Sequence, residues 1–285
     1  MQVRLQIFLA RAGIASSRRK AEVLISEGKV KINGRTAKLG DKVDISKDKV
    51  HVEGGIKVEP VKRKIYLMLN KPVGYLVSKS DARGRPLAHE ILKESSLSGE
   101  KLTEAELNSL FNVGRLDLNT EGLLLFTNDG DFALKLTHPR YRIKKSYIAK
   151  VSGKISNEAV DQLQRGVWIN VRDGDLLVRY KTLPAIIRVL GRGEEFSIIV
   201  IRISEGRKRE VRRMCEAVGF PVETLKRVQL GALELGDLPV GKWRDLSDKE
   251  IAGLRSLIYL KEEKWKSKRT FRPSSRRSSK RRRSP

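Results

Sequence analysis

The residues whose types and spacing could do chemistry are an arginine and an aspartate in the bend Gly114-Arg115-Leu116-Asp117. The bend is followed by the apolar run Leu123-Leu-Leu-Phe126 and by the polar turn Thr127-Asn-Asp-Gly130. A short apolar run between turn signals indicates a strand that is buried on both faces. A carboxylate at the entrance to such a strand has the rigid support that catalytic side chains need. Composition alone fits a surface ion pair as well, because exposed pairs are common and weak.

The stretch from Asn112 to Gly130 resembles the signature of the pseudouridine synthases, in particular the bacterial ribosomal-RNA branch that includes RsuA and RluB. The resemblance implies that Asp117 is the catalytic residue and that the reaction isomerises a uridine inside RNA. The N1–C1′ bond breaks, the uracil turns, and a C5–C1′ bond forms. Since no atom is added and no oxidation state changes, we expect neither a metal nor a cofactor.

Two roles for Asp117 stay open. The carboxylate either attacks C1′ as a nucleophile or removes the C2′ proton so that a glycal forms. Either role requires an ionised Asp117, and the resemblance implies that Arg212 pairs with it. Glycoside hydrolysis generally uses two carboxylates, and no second acidic residue stands in a matching motif, which argues against simple hydrolysis.

The resemblance also assigns residues to the substrate. Tyr147 matches a Lys-x-Tyr motif and is expected to stack on the uracil, with its hydroxyl assisting proton transfer. Leu225 is expected to flank the other face, and Arg115 to enter the space that the flipped base leaves or to hold a flanking phosphate. Lys71, in Lys71-Pro72, is expected in a loop that contacts the substrate near the cleft. Without the family, Tyr147 would be interpreted as a packed strand tyrosine.

A second resemblance covers the N-terminal part. The run from Ala12 to Glu22 is similar to the S4 RNA-binding module. Arg18, Arg19 and Lys20 crowd one predicted helix start, where the backbone dipole also favours phosphate. The remaining predicted RNA-binding cations lie in the following hairpin and in the later motif Glu205–Met214: Lys31, Arg35, Arg207 and Arg209. A solvated basic helix is the alternative interpretation of these positions.

The net charge of +26 also favours RNA as the partner. Ten basic residues and no acidic residue lie between Lys266 and Pro285, so +16 belongs to the preceding residues. A basic body gains affinity for a polyanion through counterion release. No run of apolar residues approaches the ~18 that a membrane-spanning helix requires. Binding to a membrane surface is disfavoured too, because the sequence shows no obvious basic amphipathic helix with bulky apolar anchors. The single cysteine, Cys215, excludes an internal disulfide and favours a cytoplasmic protein.

Periodicity and turn signals predict an α+β protein. We expect a small S4-like domain over residues 1–61, a catalytic domain with an extended mixed or antiparallel sheet and flanking helices over 62–260, and a disordered basic tail over 261–285. The predicted helices cover 3–12, 18–27, 131–138, 156–165 and 247–258, with a capping box at Thr103–Glu106 and a helix start in the Glu205–Met214 motif. The predicted strands cover 66–70, 123–126, 144–151, 196–203 and 223–231, with short strands between 167 and 195 and a hairpin at Asn33-Gly34.

The expected partner is ribosomal RNA, the 23S rather than the 16S. We expect the protein to act as a monomer and not to bind a membrane. A non-catalytic RNA-binding or ribosome-assembly protein would explain the charge and the S4-like module equally well. It would not explain a carboxylate in a basic groove, where Asp117 repels phosphate. An RNA glycosidase that releases uracil is a further alternative.

Overall fold

The N-terminal segment folds around its own apolar cluster. The computed structural model describes residues 2–59, 61, 63–94 and 96–270. The elements of the segment are β1 (Gln2–Arg4), α1 (Leu5–Arg11), α2 (Arg18–Ser26), β2 (Val30–Ile32), β3 (Arg35–Thr36), β4 (Lys42–Asp44), β5 (Val50–Val52) and β6 (Ile56–Lys57). An antiparallel sheet has the order β3-β2-β5-β6, and β1 pairs with β4. Apolar side chains from both helices and the strands form one buried cluster.

The local signals of this segment behave as predicted. The Ser17 hydroxyl accepts from the Lys20 amide and caps α2. Asn33 and Gly34 both have positive φ, 50° and 84°, as a tight hairpin turn requires. The first predicted helix begins later than expected, at Leu5, because Gln2–Arg4 pairs with Lys42–Asp44 as a strand.

A second, larger sheet follows. Its strands before residue 160 are β7 (Tyr66–Lys71), β8 (Phe111–Val113), β9 (Glu121–Thr127) and β10 (Lys145–Ser152). The next two strands, β11 (Trp168–Asp173) and β12 (Leu176–Lys181), form a separate hairpin. The remaining strands of the large sheet are β13 (Ile186–Arg192), β14 (Phe196–Ile203), β15 (Val222–Leu230), β16 (Leu233–Glu234) and β17 (Trp243–Asp245). The order is β13-β14-β10-β15-β9-β7-β17, with β8 on β9 and β16 on β15. The β9–β15 pair is parallel and the other pairs are antiparallel. The sheet is therefore mixed, as expected.

Helices flank this sheet. They are α3 (Glu104–Ser109), α4 (Gly130–Thr137), α5 (Asn157–Arg165), α6 (Glu210–Ala217) and α7 (Asp248–Thr270). The predicted capping box starts α3, where Thr103 and Glu106 exchange hydrogen bonds. Val211, Met214 and Cys215 bury one face of α6. Residues of β7 alternate between two buried apolar clusters, so the sheet is covered on both sides.

The last helix corrects the prediction for the C-terminal part. It continues past Ile258 to Thr270, so residues 261–270 are helical rather than disordered. The Glu262 carboxylate accepts a hydrogen bond from the Tyr141 hydroxyl at 2.8 Å and pairs with Lys135 at 3.1 Å. The Arg140 guanidinium lies 5.3 Å from the centre of the Trp265 ring. These contacts anchor the extension, and residues 271–285 of the predicted tail lie outside the described part. No helix in the described ranges could cross a membrane.

Candidate active site

A pocket of about 700 Å³ opens beside the centre of the large sheet. Its walls come from the loop after β8, the end of α4 with the turn that follows, the segment from β14 into α6, and inward side chains of β10 and β15. Four residues to which the sequence analysis assigned a role line this cavity: Asp117, Tyr147, Leu225 and Arg115. Segments far apart in the chain thus meet at one cavity.

Asp117 lies half-buried in the bend between β8 and β9. Gly114 opens the bend with φ +74°, and the Thr120 amide donates to the Asp117 carbonyl at 3.1 Å. No ion pair or side-chain hydrogen bond joins the Asp117 carboxylate to any residue that the structure describes. Arg115 is exposed and forms no ion pair with Asp117 in the described part of the chain, so the alternative interpretation as an Arg115–Asp117 surface pair does not apply.

The expected ion pair between Arg212 and Asp117 is not formed. Arg212 donates from Nη1 to the Val222 carbonyl at 2.9 Å and from Nη2 to the Asn119 carbonyl at 2.7 Å. These two bonds tie α6 to the start of β15 and to the Asp117 bend, while the Nε of Arg212 is buried with no partner among the described residues. Burial lowers the pKa of Arg212 and the nearby Asp117 charge opposes that shift, so Arg212 supports the bend and still interacts with Asp117 electrostatically.

Lys71 likewise contacts the backbone. It is fully buried at the end of β7, and its ammonium donates to the carbonyls of Pro72 at 2.7 Å and Leu118 at 3.3 Å. Burial lowers the pKa of Lys71 to about 8. Lys71 is not among the residues that line the pocket, and its hydrogen bond to Leu118, next to Asp117, holds the bend. A contact of Lys71 with substrate stays a prediction.

Tyr147 and Leu225 face the pocket from adjacent strands. In the β10–β15 pairing Tyr147 stands opposite Arg227 and Ala149 opposite Leu225, after a register shift between Ser146 and Tyr147. Tyr147 and Leu225 are 8% and 5% exposed. Burial raises the pKa of the Tyr147 phenol, so the hydroxyl is protonated at neutral pH. An aromatic ring and an aliphatic side chain thus line one cavity with Asp117.

Sequence reasoning missed Arg227. Its side chain is 2% exposed, lines the pocket, and donates from Nε to the Leu123 carbonyl at 2.7 Å. Its Nη2 is buried and has no partner among the described residues. One signal was available: Arg227 stands two residues after Leu225 on a strand, and such residues share a face.

Sequence reasoning also missed a cluster of ionisable groups that are buried or half-buried. Glu210 is 3% exposed and accepts from the Arg207 amide at 2.7 Å. The Glu205 carboxylate accepts from the Tyr180 hydroxyl at 2.7 Å, and its carbonyl accepts from the Lys145 ammonium at 3.1 Å. Burial raises the pKa of Glu210 to about 8 and lowers that of Lys145 to about 8. Glu210 is therefore mainly an uncharged acid at neutral pH.

The predicted RNA-binding cations lie mostly at the surface. Arg18, Arg19, Lys20 and Lys31 are exposed on α2 and β2. Arg35 is exposed too, but it is paired with Asp41 at 2.9 Å.

Two further predicted cations stand at the rim of the pocket. Arg207 stacks on Tyr180, with its Cζ 3.5 Å from the ring centre, and Arg209 precedes α6 with φ +54°. Contacts of these cations with RNA stay a prediction.

Comparisons with known proteins bear on the whole chain. Residues 65–217 match the family model described as RNA pseudouridylate synthase, and residues 3–50 match the S4 domain model. An uncharacterized RNA pseudouridine synthase of Aquifex aeolicus is 40% identical, over 92% of this chain and 97% of that protein. The ribosomal large subunit pseudouridine synthase B of Bacillus subtilis is 42% identical, over 89% and 96%. A crystal structure of a pseudouridylate synthase, 28% identical, superposes with a TM-score of 0.60 over 88% of this chain and 99% of that one.

Proposed function

The chain belongs to the RNA pseudouridylate synthase family and carries an N-terminal S4 domain, and from that membership we propose that it isomerises one uridine of large-subunit ribosomal RNA with Asp117 as the catalytic residue. The observation that carries the assignment is the Asp117 carboxylate, which lines the pocket and has no ionic partner in the described part of the chain. A carboxylate in that state is available to a ribose. A binding protein has no use for an unpaired anion in a cavity that receives RNA.

The lining supports each step of such a reaction. Uracil, once out of its stack, enters between Tyr147 and Leu225. Asp117 then attacks C1′ or removes the C2′ proton, and the electron pair of the N1–C1′ bond stays on the uracil. The base turns and C5 bonds to C1′, as the Asp117–C1′ bond breaks in the first route or as Asp117 returns the proton to C2′ in the second. The C5 proton is then lost, N1 gains a proton, and Asp117 is again a free carboxylate. Arg212 and Lys71 hold the bend that presents Asp117.

The relatives and the charge support the choice of RNA. The Bacillus subtilis relative is named for the large ribosomal subunit, and the net charge of +26 favours a polyanion. The exposed cations of α2, which belong to the S4 domain, offer a second contact with RNA away from the pocket. Large-subunit RNA is accordingly the first substrate to test.

Tritium release tests this proposal directly. Transcripts of 23S and 16S ribosomal RNA, made with uridine labelled at C5, are incubated with the protein. We expect tritium release from the 23S transcript with the RNA chain intact. Asp117→Asn should lower release by a factor of roughly 10⁴ or more, as losses of central catalytic groups do, while RNA affinity persists. Asp131→Asn, at an exposed position of α4, is the matched control and should keep full activity.

Three results would contradict the proposal. Free uracil in the reaction indicates a glycosidase. Tritium release from the 16S transcript alone overturns the choice of subunit. An Asp117→Asn protein that binds less RNA but turns over normally once bound removes Asp117 from the chemistry.

A further inference from the structure

We infer that Arg227 stabilises the detached uracil as an anion, by donating from its free Nη2 to a carbonyl oxygen of the base. This inference rests on the proposed function, because it concerns the base that the reaction releases. It adds a residue that binds the leaving group to the residue that attacks the ribose.

The burial of Arg227 is the first support. A guanidinium that is 2% exposed has lost nearly all its water, which is costly unless the charge is paired and its donors are satisfied. One donor is satisfied, since Nε bonds to the Leu123 carbonyl at 2.7 Å. The other end of the fork, Nη2, is buried without an acceptor among residues that the structure describes. The Tyr147 hydroxyl is close enough to the guanidinium for Arg227 to oppose the rise of the Tyr147 pKa, but Nη2 itself bonds to no acceptor among these residues.

The charges around Arg227 are the second support. No ion pair joins Arg227 to an acidic residue within the described ranges. Glu210, in the same pocket, is mainly protonated at neutral pH because burial raises its pKa to about 8. Lys145 is a second cation of the lining and is half-buried, and Arg227 adds to the lowering of its pKa by burial. Asp117 lines the same cavity but forms no ion pair with either cation in the described ranges, so the guanidinium of Arg227 can pair with a ligand that becomes negative.

The position of Arg227 is the third support. Arg227 lies directly across the strand pair from Tyr147, the ring expected to stack on the base. The parallel pairing with Gly122 fixes its backbone on the other side. The hydrogen bond from Nε then fixes the plane of the guanidinium, so Nη2 is oriented before the substrate arrives. A donor held in this way needs no reorganisation when charge develops.

The reaction supplies the anion. When N1–C1′ breaks, both electrons remain on the uracil, and the negative charge spreads from N1 to O2 and O4. Arginine does not give up its proton in proteins, so Arg227 acts through charge and hydrogen bonding. The base later regains a proton at N1 and loses one from C5, and Arg227 is unchanged. Because the charge is absent from the bound uridine, the contact favours the transition state over the ground state.

A leaving-group comparison tests the inference. The transcript that releases tritium is prepared with uridine or with 5-fluorouridine, and Arg227→Met is compared with wild type in single-turnover reactions. Fluorine stabilises the uracil anion and cannot leave as a cation, so the fluorinated substrate stops after C5–C1′ bond formation. Product is measured by mass spectrometry of the nuclease digest. We expect the single-turnover rate of Arg227→Met to be roughly 100-fold below wild type with uridine, the effect of removing one oxyanion donor. With 5-fluorouridine the loss of rate should be several-fold smaller.

The controls separate folding from chemistry. Arg202→Met removes a half-buried arginine of β14 that bonds to Ser146 and Gln229 outside the pocket. Its single-turnover rate should fall by the same small factor with both substrates. Urea unfolding checks that Arg227→Met is native. If it is not, Arg227→Lys, which keeps the charge without the planar fork, must show a loss in the same direction.

The outcomes are distinct. Equal losses of Arg227→Met with both substrates would mean that Arg227 acts on the fold or on Asp117, and would overturn the inference. Full activity of Arg227→Met would overturn it as well. Absence of pseudouridine in the wild-type reaction would defeat the proposed function instead.

Discussion

At the scale of single residues, the pocket is unusual for the acids and bases that it buries. Glu210 and Lys145 lie within it, and both carry pKa values near neutrality because burial disfavours their charged forms. A neutral Glu210 avoids repelling both Asp117 and the anionic RNA. The protonation of Glu210 should therefore be visible in the stability of the fold.

Glu210→Gln replaces an uncharged acid by an amide of the same shape. The pKa of Glu210 is raised to about 8 in the folded protein, so between its ordinary value and about 8 the native state holds a proton that the unfolded chain has lost. Wild-type stability should then fall as pH rises, by up to about 1.4 kcal/mol per pH unit, and Glu210→Gln should lack this loss. The lowered pKa of Lys145 acts above about 8, outside this window.

Urea unfolding of both proteins between pH 5 and pH 8 measures the difference. Glu216→Gln changes an exposed acid of the same helix and should follow wild type. Parallel stability profiles for wild type and Glu210→Gln would show that Glu210 is ionised in the fold.

At the scale of elements, the parallel contact between β9 and β15 controls the site. Gly122 has φ +108°, and a Cβ there would overlap the carbonyl of Arg227 and lie 2.8 Å from its amide nitrogen. Only glycine lets the two strands approach this closely while turning the chain out of the Asp117 bend. The strand that carries Arg227 and the bend that carries Asp117 are thereby held in one register.

Gly122→Ala should consequently destabilise the protein strongly. Backbone strain of roughly 1–3 kcal/mol adds to an overlap with backbone atoms that cannot move aside, so we expect a loss of about 3 kcal/mol or more. Gly241→Ala is the matched control, because Gly241 also has positive φ, +77°, but open space around its Cα. Thermal unfolding measures both variants. Similar losses would show that φ strain alone matters at Gly122.

Elements with strong local signals were predictable from the sequence, and those fixed by distant contacts were not. The prediction for β14 is confirmed to the residue, since Phe196–Ile203 is a mostly apolar run, rich in β-branched residues and bounded by turn signals. The end of α7 was missed because its last turns are held by Lys135 and Arg140, far away in the chain. The Gly114–Asp117 motif predicted a role for Asp117, but the alignment of Tyr147 with Arg227 depends on a register shift that no local pattern encodes.

At the scale of the whole molecule, the cations of the S4 domain and the pocket should make separable contributions. Changing Arg18, Arg19 and Lys20 together to Gln removes exposed charge from the start of α2. We expect weaker binding to the 23S transcript, and a slope of log K against log salt that is smaller by roughly two, since each phosphate contact releases less than one counterion. Filter binding over a salt series measures this.

Turnover is the control for that triple variant. At saturating RNA the single-turnover rate should equal that of wild type, because the changed residues lie outside the pocket lining. A lower rate at saturation would mean that α2 also positions the target uridine.

The long final helix has a consequence for the charge that follows it. Arg140, which contacts Trp265, comes directly after Pro139, and Pro139 lines the mouth of the pocket. Seven basic residues follow Thr270 in the sequence, and the described helix to which they are joined ends five residues after Trp265. Tethering raises the effective concentration of a group near its anchor. We therefore expect this charge to slow the escape of an RNA strand from the pocket without reading its sequence.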